Sequence, residues 1–183
     1  MKIAVYCSSS NRIADHYKLD AFKLGVLIAE DRNSLVYGGA TGGLMDAVAE
    51  GAKSKNGQII GVISQPIIRM KRLSDLPTEL IVVETMSQRK EKMKEISDLF
   101  IILPGSYGTL DEMLDVIVSG VVGEHKKPLI LINKNGFYNH FLEHINFIQK
   151  ENFMPSVETY KPIIARDNEH CLEIINSLVL QKI

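Results

Sequence analysis

Cysteine is scarce in this chain: Cys7 and Cys171 are the two among 183 residues. Two thiols make neither a disulfide framework nor a metal knuckle, so reduced thiols in a cytoplasmic protein are expected. An excess of one charge is missing as well. Lys and Arg number 21 against 22 Asp and Glu, a formal net charge of −1, which gives no electrostatic case for a nucleic acid or a membrane surface as the main partner. No apolar run reaches the length that spans a bilayer. The stretch Met1–Cys7 breaks at Ser8-Ser9-Ser10-Asn11, too short for a signal-peptide core and readable as a buried first strand. Repeats, low-complexity tracts and linkers are all lacking. With 45% hydrophobic and 23% charged residues, the composition is that of a globular protein. One domain over 1–183, with a sizeable core, is expected.

Within that domain, short apolar runs alternate with amphipathic stretches. Ile3–Cys7, Ser34–Tyr37, Gln58–Ile63, Leu80–Glu84, Leu99–Leu103 and Pro128–Ile132 read as strands. They are nearly continuous in apolar residues, as parallel strands covered on both faces are. Helical spacing links Tyr17, Ala21, Leu24 and Ile28, then Phe137, Phe141, His144 or Ile145 and Ile148, and finally Leu172, Ile175 and Val179. Repeated βα units of this kind predict an α/β, Rossmann-like, doubly wound and mostly parallel sheet with helices on both faces. The stretch from Ser64 to Glu79, punctuated by Pro66 and Pro77, reads as irregular. Its basic run Arg69-Met70-Lys71-Arg72 is either a lid or a solvated loop, and a single charge run favours the second.

Ligands of an open parallel sheet bind outside the carboxyl ends of the strands. Three of those ends carry small, donor-rich residues: Ser8-Ser9-Ser10, Gly38-Gly39-Ala40-Thr41-Gly42-Gly43 and Pro104-Gly105-Ser106-Tyr107-Gly108-Thr109. Glycine lets a backbone approach an anion closely, and a helix N-terminus supplies free N–H groups and a positive dipole end. One such loop is as well explained by an ordinary turn; two in one sheet favour a phosphate site. Two nucleotide signatures are absent. The turn after the first strand has no glycine, unlike a dinucleotide fingerprint, and Gly43 precedes Leu44 rather than the Lys of a phosphate-binding loop. A smaller phosphorylated ligand remains.

Thr85-Met86-Ser87-Gln88 reads as a capping box. On the helix that follows, Arg89 shares an apolar stripe with Met86, Met93 and Ile96. It can snorkel, pair with a structural carboxylate or meet an anionic ligand, and periodicity by itself leans to the structural fates. Lys90 beside it reads as a solvated side chain. The helix after Gly108 has its expected core stripe at Leu110, Leu114, Ile117 and Val121. Glu112 projects opposite, by the ~100° per residue of a helix. That far face also carries Met113, Val116, Ser119, Gly120 and Gly123, small or apolar residues that suit a close partner, so a homodimer interface near Glu112 is expected.

At these residues the chain resembles the LOG (Lonely Guy) family of cytokinin riboside 5′-monophosphate phosphoribohydrolases, many of which carry the label possible lysine decarboxylase. The family signature Pro-Gly-Gly-x-Gly-Thr-x-x-Glu stands as Pro104-Gly105-Ser106-Tyr107-Gly108-Thr109-Leu110-Asp111-Glu112. Its Arg-Lys motif stands as Met86-Ser87-Gln88-Arg89-Lys90-Glu91-Lys92-Met93, and the Gly38–Met45 loop and His125-Lys126-Lys127-Pro128 are also similar. The likeness runs from Ile3 to about Met154. Four features depart from the family pattern: Ser106 and Ser8 stand for glycines, Ser87 for a histidine, and the chain has no tryptophan. The first two exchange small for small and keep phosphate binding. The last two bear on the base pocket, hence on which base is accepted rather than on the reaction.

The resemblance implies hydrolysis of a nucleoside 5′-monophosphate, a cytokinin riboside monophosphate or AMP, to free base and ribose 5-phosphate. It assigns Glu112 and Arg89 to the catalytic centre. Ser8, Ser9, Gly39, Gly42, Gly43, Met86, Lys90, Gly105, Ser106, Tyr107, Gly108 and Thr109 are assigned to substrate and phosphate. No cofactor or metal is expected. His140 and His144 are spaced i, i+4 but lack the neighbouring Glu and third ligand of a zinc site. No lysine is singled out for the Schiff base that lysine decarboxylation ordinarily uses. The rival class is a non-catalytic carrier of a nucleotide or molybdenum-cofactor type, which would have no need of Glu112.

Overall fold

The computed structural model describes residues 1–154 and 160–180. Seven parallel strands form one sheet in the order β4-β3-β2-β1-β5-β6-β7. They are β1 (Lys2–Tyr6), β2 (Ser34–Tyr37), β3 (Ile59–Ser64), β4 (Glu79–Val83), β5 (Leu99–Ile102), β6 (Leu129–Ile132) and β7 (Ile163–Ala165). The helices between and after them are α1 (Asp15–Glu30), α2 (Gly43–Ser54), α3 (Gln65–Arg69), α4 (Met86–Ile96), α5 (Tyr107–Val121), α6 (Asn139–Lys150) and α7 (Asn168–Leu180). Successive residues of a strand face opposite ways, and the core divides accordingly. Ile3, Val5, Leu35 and Tyr37 lie under α1, α2 and α7 with Ala21, Leu24, Ile28, Cys171 and Ile175. Ala4, Tyr6, Val36, Phe100 and Ile102 lie under α4 and α5 with Met93, Met113 and Val116, and the edge of α6 joins through Phe141 and Leu142. The doubly wound, Rossmann-like architecture expected from the strand and helix periodicities is the one observed.

Strand order makes β1 the turning point. Chain progress from β1 through β4 builds one half of the sheet, and β5 returns to pair with β1 on its other side, Ile3 opposite Leu99 and Tyr6 opposite Ile102. The loops leaving β1 and β5 therefore open a crevice at the carboxyl edge, where such sheets take ligands.

Three local expectations need correction. The stretch after Ser64 is not wholly irregular: Gln65–Arg69 forms α3, with Pro66 in its first turn, where a missing N–H is harmless. β4 is an edge strand, and Leu80 and Val82 are 42% and 47% exposed rather than covered. β7, only three residues long, carried too little apolar sequence to be seen.

The largest correction concerns α5. Its buried residues are Thr109, Glu112, Met113, Val116, Ser119 and Gly120. Leu114 and Val121, expected in the core, are 41% and 40% exposed. The face carrying Glu112 is thus the one packed on the sheet, not a face left for a second copy. The approach is closest at Gly120. A side-chain carbon at Gly120 would sit 2.5 Å from the Tyr160 ring, whose hydroxyl is anchored on the Lys127 carbonyl at 2.7 Å. Only glycine fits at that point, while Met113 and Val116 fill the space beside it, and Leu110 and Ile117 of the expected stripe still pack partly against the core.

Candidate active site

α4 begins with a complete capping box. The Thr85 hydroxyl accepts the Gln88 N–H at 3.1 Å, and the Gln88 side chain accepts the Thr85 N–H at 3.2 Å. With its start set, the helix buries Arg89 and Met93 on one line. Arg89 does not snorkel: it is 4% exposed. Its Nε donates to the Val62 carbonyl at 3.0 Å, and its Nη1 donates to Glu112 Oε1 at 2.6 Å. Gly38 makes the room. A Cβ there would fall 1.9 Å from Nη2 of Arg89, so no larger residue permits this placement of the guanidinium. The ion pair therefore spans the carboxyl ends of β2 and β3 and reaches α5.

Glu112 is 5% exposed. Burial pushes its carboxyl pKa above the ordinary value, while the charge and hydrogen bond of Arg89 oppose that rise. A guanidinium stays charged at any ordinary pH. The pair thus holds a carboxylate of raised proton affinity at a fixed position, on the inner face of the sheet's carboxyl edge.

One turn earlier on the same buried face is Thr109, and here the phosphate-type loop joins the pair. Ser106 occupies the N-cap of α5 without a side-chain capping bond. The first-turn amides of Tyr107, Gly108 and Thr109 have no intrahelical acceptor by the geometry of a helix start. Gly105 is required by contact: a Cβ would come within 2.0 Å of the Thr109 hydroxyl oxygen. Ser106 has φ −109° and ψ −152°, extended backbone that any residue adopts. The exchange of glycine for serine is free of backbone strain there. Ser8 likewise is not among the residues of positive φ. It ties the two loops together, its N–H donating to the Pro104 carbonyl at 3.1 Å and its carbonyl accepting the Leu44 N–H at 2.9 Å. Between them lies a cleft of about 350 Å³ bordered by Ser8, Ser10, Tyr17, Gly105, Ser106 and Phe137.

The second glycine loop is built differently. Gly42 and Gly43 have φ of +111° and +55°, a region open to glycine at little steric cost. Their N–H groups are already engaged: Gly42 donates to Asp46 Oδ2 and Gly43 to Asn11 Oδ1, both at 2.7 Å. The amides at the start of α2 are filled from within, whereas those of Tyr107, Gly108 and Thr109 at the start of α5 have no partner among the described residues. Gly39, at φ +64°, gives its carbonyl to Ser74 N–H at 3.0 Å.

The remaining predicted residues lie at the margin. Lys90 turns to Asp111 at 2.9 Å and Asp115 at 3.7 Å on α5, so it is neither solvated alone nor free. Met86 is 40% exposed, and its sulfur accepts from the fully buried Ser64 hydroxyl at 3.1 Å. Tyr107 is 91% exposed. Ser9 offers its carbonyl, not its hydroxyl, to Arg72 at 3.1 Å. A wider groove of about 670 Å³ runs between α4 and α5, past Ser87, Lys94 and His125. Its charges neutralise one another, as in Lys94–Asp115 at 2.7 Å, and neither Arg89 nor Glu112 lines it. His140 pairs with Glu143 at 3.2 Å on exposed α6. Asn11, Asp46, Arg72 and Gly38 were not anticipated. Polar residues near the glycine loops hinted at the first two, Arg72 stood in the basic run read as a lid or a solvated loop, and Gly38 stood in the glycine loop without a role of its own.

Comparisons with known proteins bear on the family and the fold. The family described as possible lysine decarboxylase matches residues 45–175. The chain is 38% identical over 153 residues to cytokinin riboside 5′-monophosphate phosphoribohydrolase LOG of Oryza sativa subsp. japonica, covering 84% of this chain and 63% of that protein. It is 34% identical to the cytokinin riboside 5′-monophosphate phosphoribohydrolase of Rhodococcoides fascians, covering 96% of this chain and 89% of that one. Among solved structures it is similar to the molybdenum cofactor binding protein of Rippkaea orientalis, with a TM-score of 0.73, 26% identity and coverage of 97% and 96%. Fold, paired motifs and sequence likeness converge, and the chain belongs to the LOG family, the group also described as possible lysine decarboxylases.

Proposed function

We propose that this chain hydrolyses the N-glycosidic bond of a nucleoside 5′-monophosphate, a cytokinin riboside monophosphate or AMP, giving free base and ribose 5-phosphate. The observation that carries this reading is the buried Arg89–Glu112 pair at 2.6 Å, one turn below an uncapped helix N-terminus. The phosphate enters first. Amides of Ser106, Gly108 and Thr109 and the positive end of α5 receive it, and that remote binding orients the sugar. The bond from C1′ to the base nitrogen then breaks, with its electron pair leaving on the base. Positive charge grows on the sugar, and the Glu112 carboxylate stabilises it. A water oxygen bonds to C1′; of its two protons, one stays on the new hydroxyl and the other passes through Glu112 to the base. Arg89 stabilises the negative charge growing on the base and holds Glu112 in place.

Function as a carrier is the competing reading, supported by the likeness to a molybdenum cofactor binding protein. It leaves a buried, positioned carboxylate without a task. The test is chromatography of the protein incubated with AMP, isopentenyladenosine monophosphate, GMP and CMP, alongside Glu112→Gln. Wild type is expected to release free base, and Glu112→Gln to lose at least ~100-fold of that rate while folding normally, the usual scale for such a group. Binding without release from any nucleotide would establish the carrier instead. Both cysteines are buried and free, which supports a reducing, cytoplasmic setting.

A further inference from the structure

The segment after α3 reaches back to the mouth of the site. Arg72 accepts the Thr41 N–H on its carbonyl at 2.8 Å, and Ser74 donates to the Gly39 carbonyl at 3.0 Å. Leu73 forms an antiparallel bridge with Ala40. The Arg72 side chain extends further. Its Nη2 donates to the Thr41 carbonyl at 2.7 Å and to the Ser9 carbonyl at 3.1 Å. One guanidinium thus joins the loop after β2 to the loop after β1. The two loops touch at this point, since a Cβ on Gly42 would lie 2.4 Å from the Ser9 oxygen and 3.2 Å from Arg72 Nη2.

We infer that Arg72 is a positioning residue for the nucleotide, acting through the two loops it ties rather than by touching the reacting bond. Ser8 and Ser10 border the cleft, and Ser9 between them is the residue that Arg72 holds. Carbonyls of Ser9 and Thr41 turned onto one cation are turned away from the incoming phosphate dianion. Released, the same oxygens are free to rotate into the cleft and repel it. Among the described residues Arg72 forms no ion pair, so its charge stays available to the two carbonyls. A lysine has three donors but lacks the planar fork, so it replaces the charge and only part of the geometry.

The inference rests on the nucleotide reading proposed above, and binding is measured separately from turnover. AMP affinity by calorimetry, KM and kcat for AMP, and thermal midpoint are compared for wild type, Arg72→Ala, Arg72→Gln and Arg72→Lys. In Arg72→Ala both Kd and KM are expected to rise about tenfold, the scale of one charge-assisted hydrogen bond, with kcat falling far less. Arg72→Lys should recover part of the affinity. If the alanine variant does not fold, Arg72→Gln carries the same expectation. A folded variant with Kd and KM within twofold of wild type overturns the inference. So does a loss in kcat that follows the thermal midpoint with KM unchanged, or a wild type that does not bind AMP. Wild type that binds AMP but releases no adenine defeats the hydrolase reading alone, and the Kd comparison still decides Arg72.

Discussion

Glu112 sits where two effects oppose each other, and its position between them is open to measurement. Burial favours the neutral acid, and Arg89 favours the carboxylate; the net direction is up. A carboxylate role then predicts that kcat/KM falls as pH drops through a value above the ordinary glutamate range. An acid limb at or below that range would contradict it, and the residual rate of Glu112→Gln should lack the limb. Stability runs the other way. A pKa raised in the folded state contributes stability below the unfolded pKa and loses it as pH rises through the folded value. The pH that favours catalysis therefore costs the fold some stability at this residue. Gly38 provides a second test. Gly38→Ala places a carbon 1.9 Å from Arg89 Nη2, so the guanidinium or the backbone must move. We expect a loss of about 1–3 kcal/mol from overpacking together with a fall in kcat, read by denaturant unfolding and turnover. Full activity in this variant would show that the observed Arg89 position is not needed.

At the scale of the element, α5 performs two tasks with two faces. Its inner face brings Thr109 and Glu112 to the site, and its outer face leaves Leu114, Val118 and Val121 at 41%, 59% and 40% exposed. The homodimer expected from the sequence, if it forms through α5, must use this outer face. We expect a dimer by light scattering at micromolar concentration and a monomer for Val118→Glu, with the fold intact by circular dichroism. Monomeric wild type would remove the dimer. Periodicity could not tell the faces apart, because both are apolar and the leucine-rich stripe is the greasier one. The helix of Arg89 was more legible: the capping box set its first residue, and of the expected stripe Arg89 and Met93 are buried and Ile96 partly so, whereas Met86 is 40% exposed. β7 and α3 are too short for any periodicity to accumulate.

For the whole molecule, the two halves of the sheet diverge at β1, and Ser8, Gly105 and Ser106 border one cleft at that edge. Phosphate anchoring by α5 makes a prediction about ligands rather than residues. Ribose 5-phosphate and AMP should raise the thermal midpoint and adenosine should not, with about 2.7 kcal/mol of added stability at a ligand concentration one hundred times Kd. Equal stabilisation by adenosine would place the main contacts on the base. Among the described residues, no helix is long and apolar enough to cross a membrane.

The sequence by itself determined the parallel α/β architecture, since runs of buried strand residues alternate with helical stripes. The likeness of its contiguous motifs to the LOG family named Glu112 and Arg89, whereas periodicity by itself leaned to structural fates for Arg89; the glycine-rich Gly105–Thr109 loop was marked by its own residues. Only the tertiary structure decided that Arg89 meets Glu112 rather than solvent, that Gly38 makes the space for it, and that Asp46 and Asn11 fill the amides of the second glycine loop. Those facts depend on which strand ends become neighbours. Neighbours across a sheet are chosen by the packing of the whole chain, and no local run of residues encodes them.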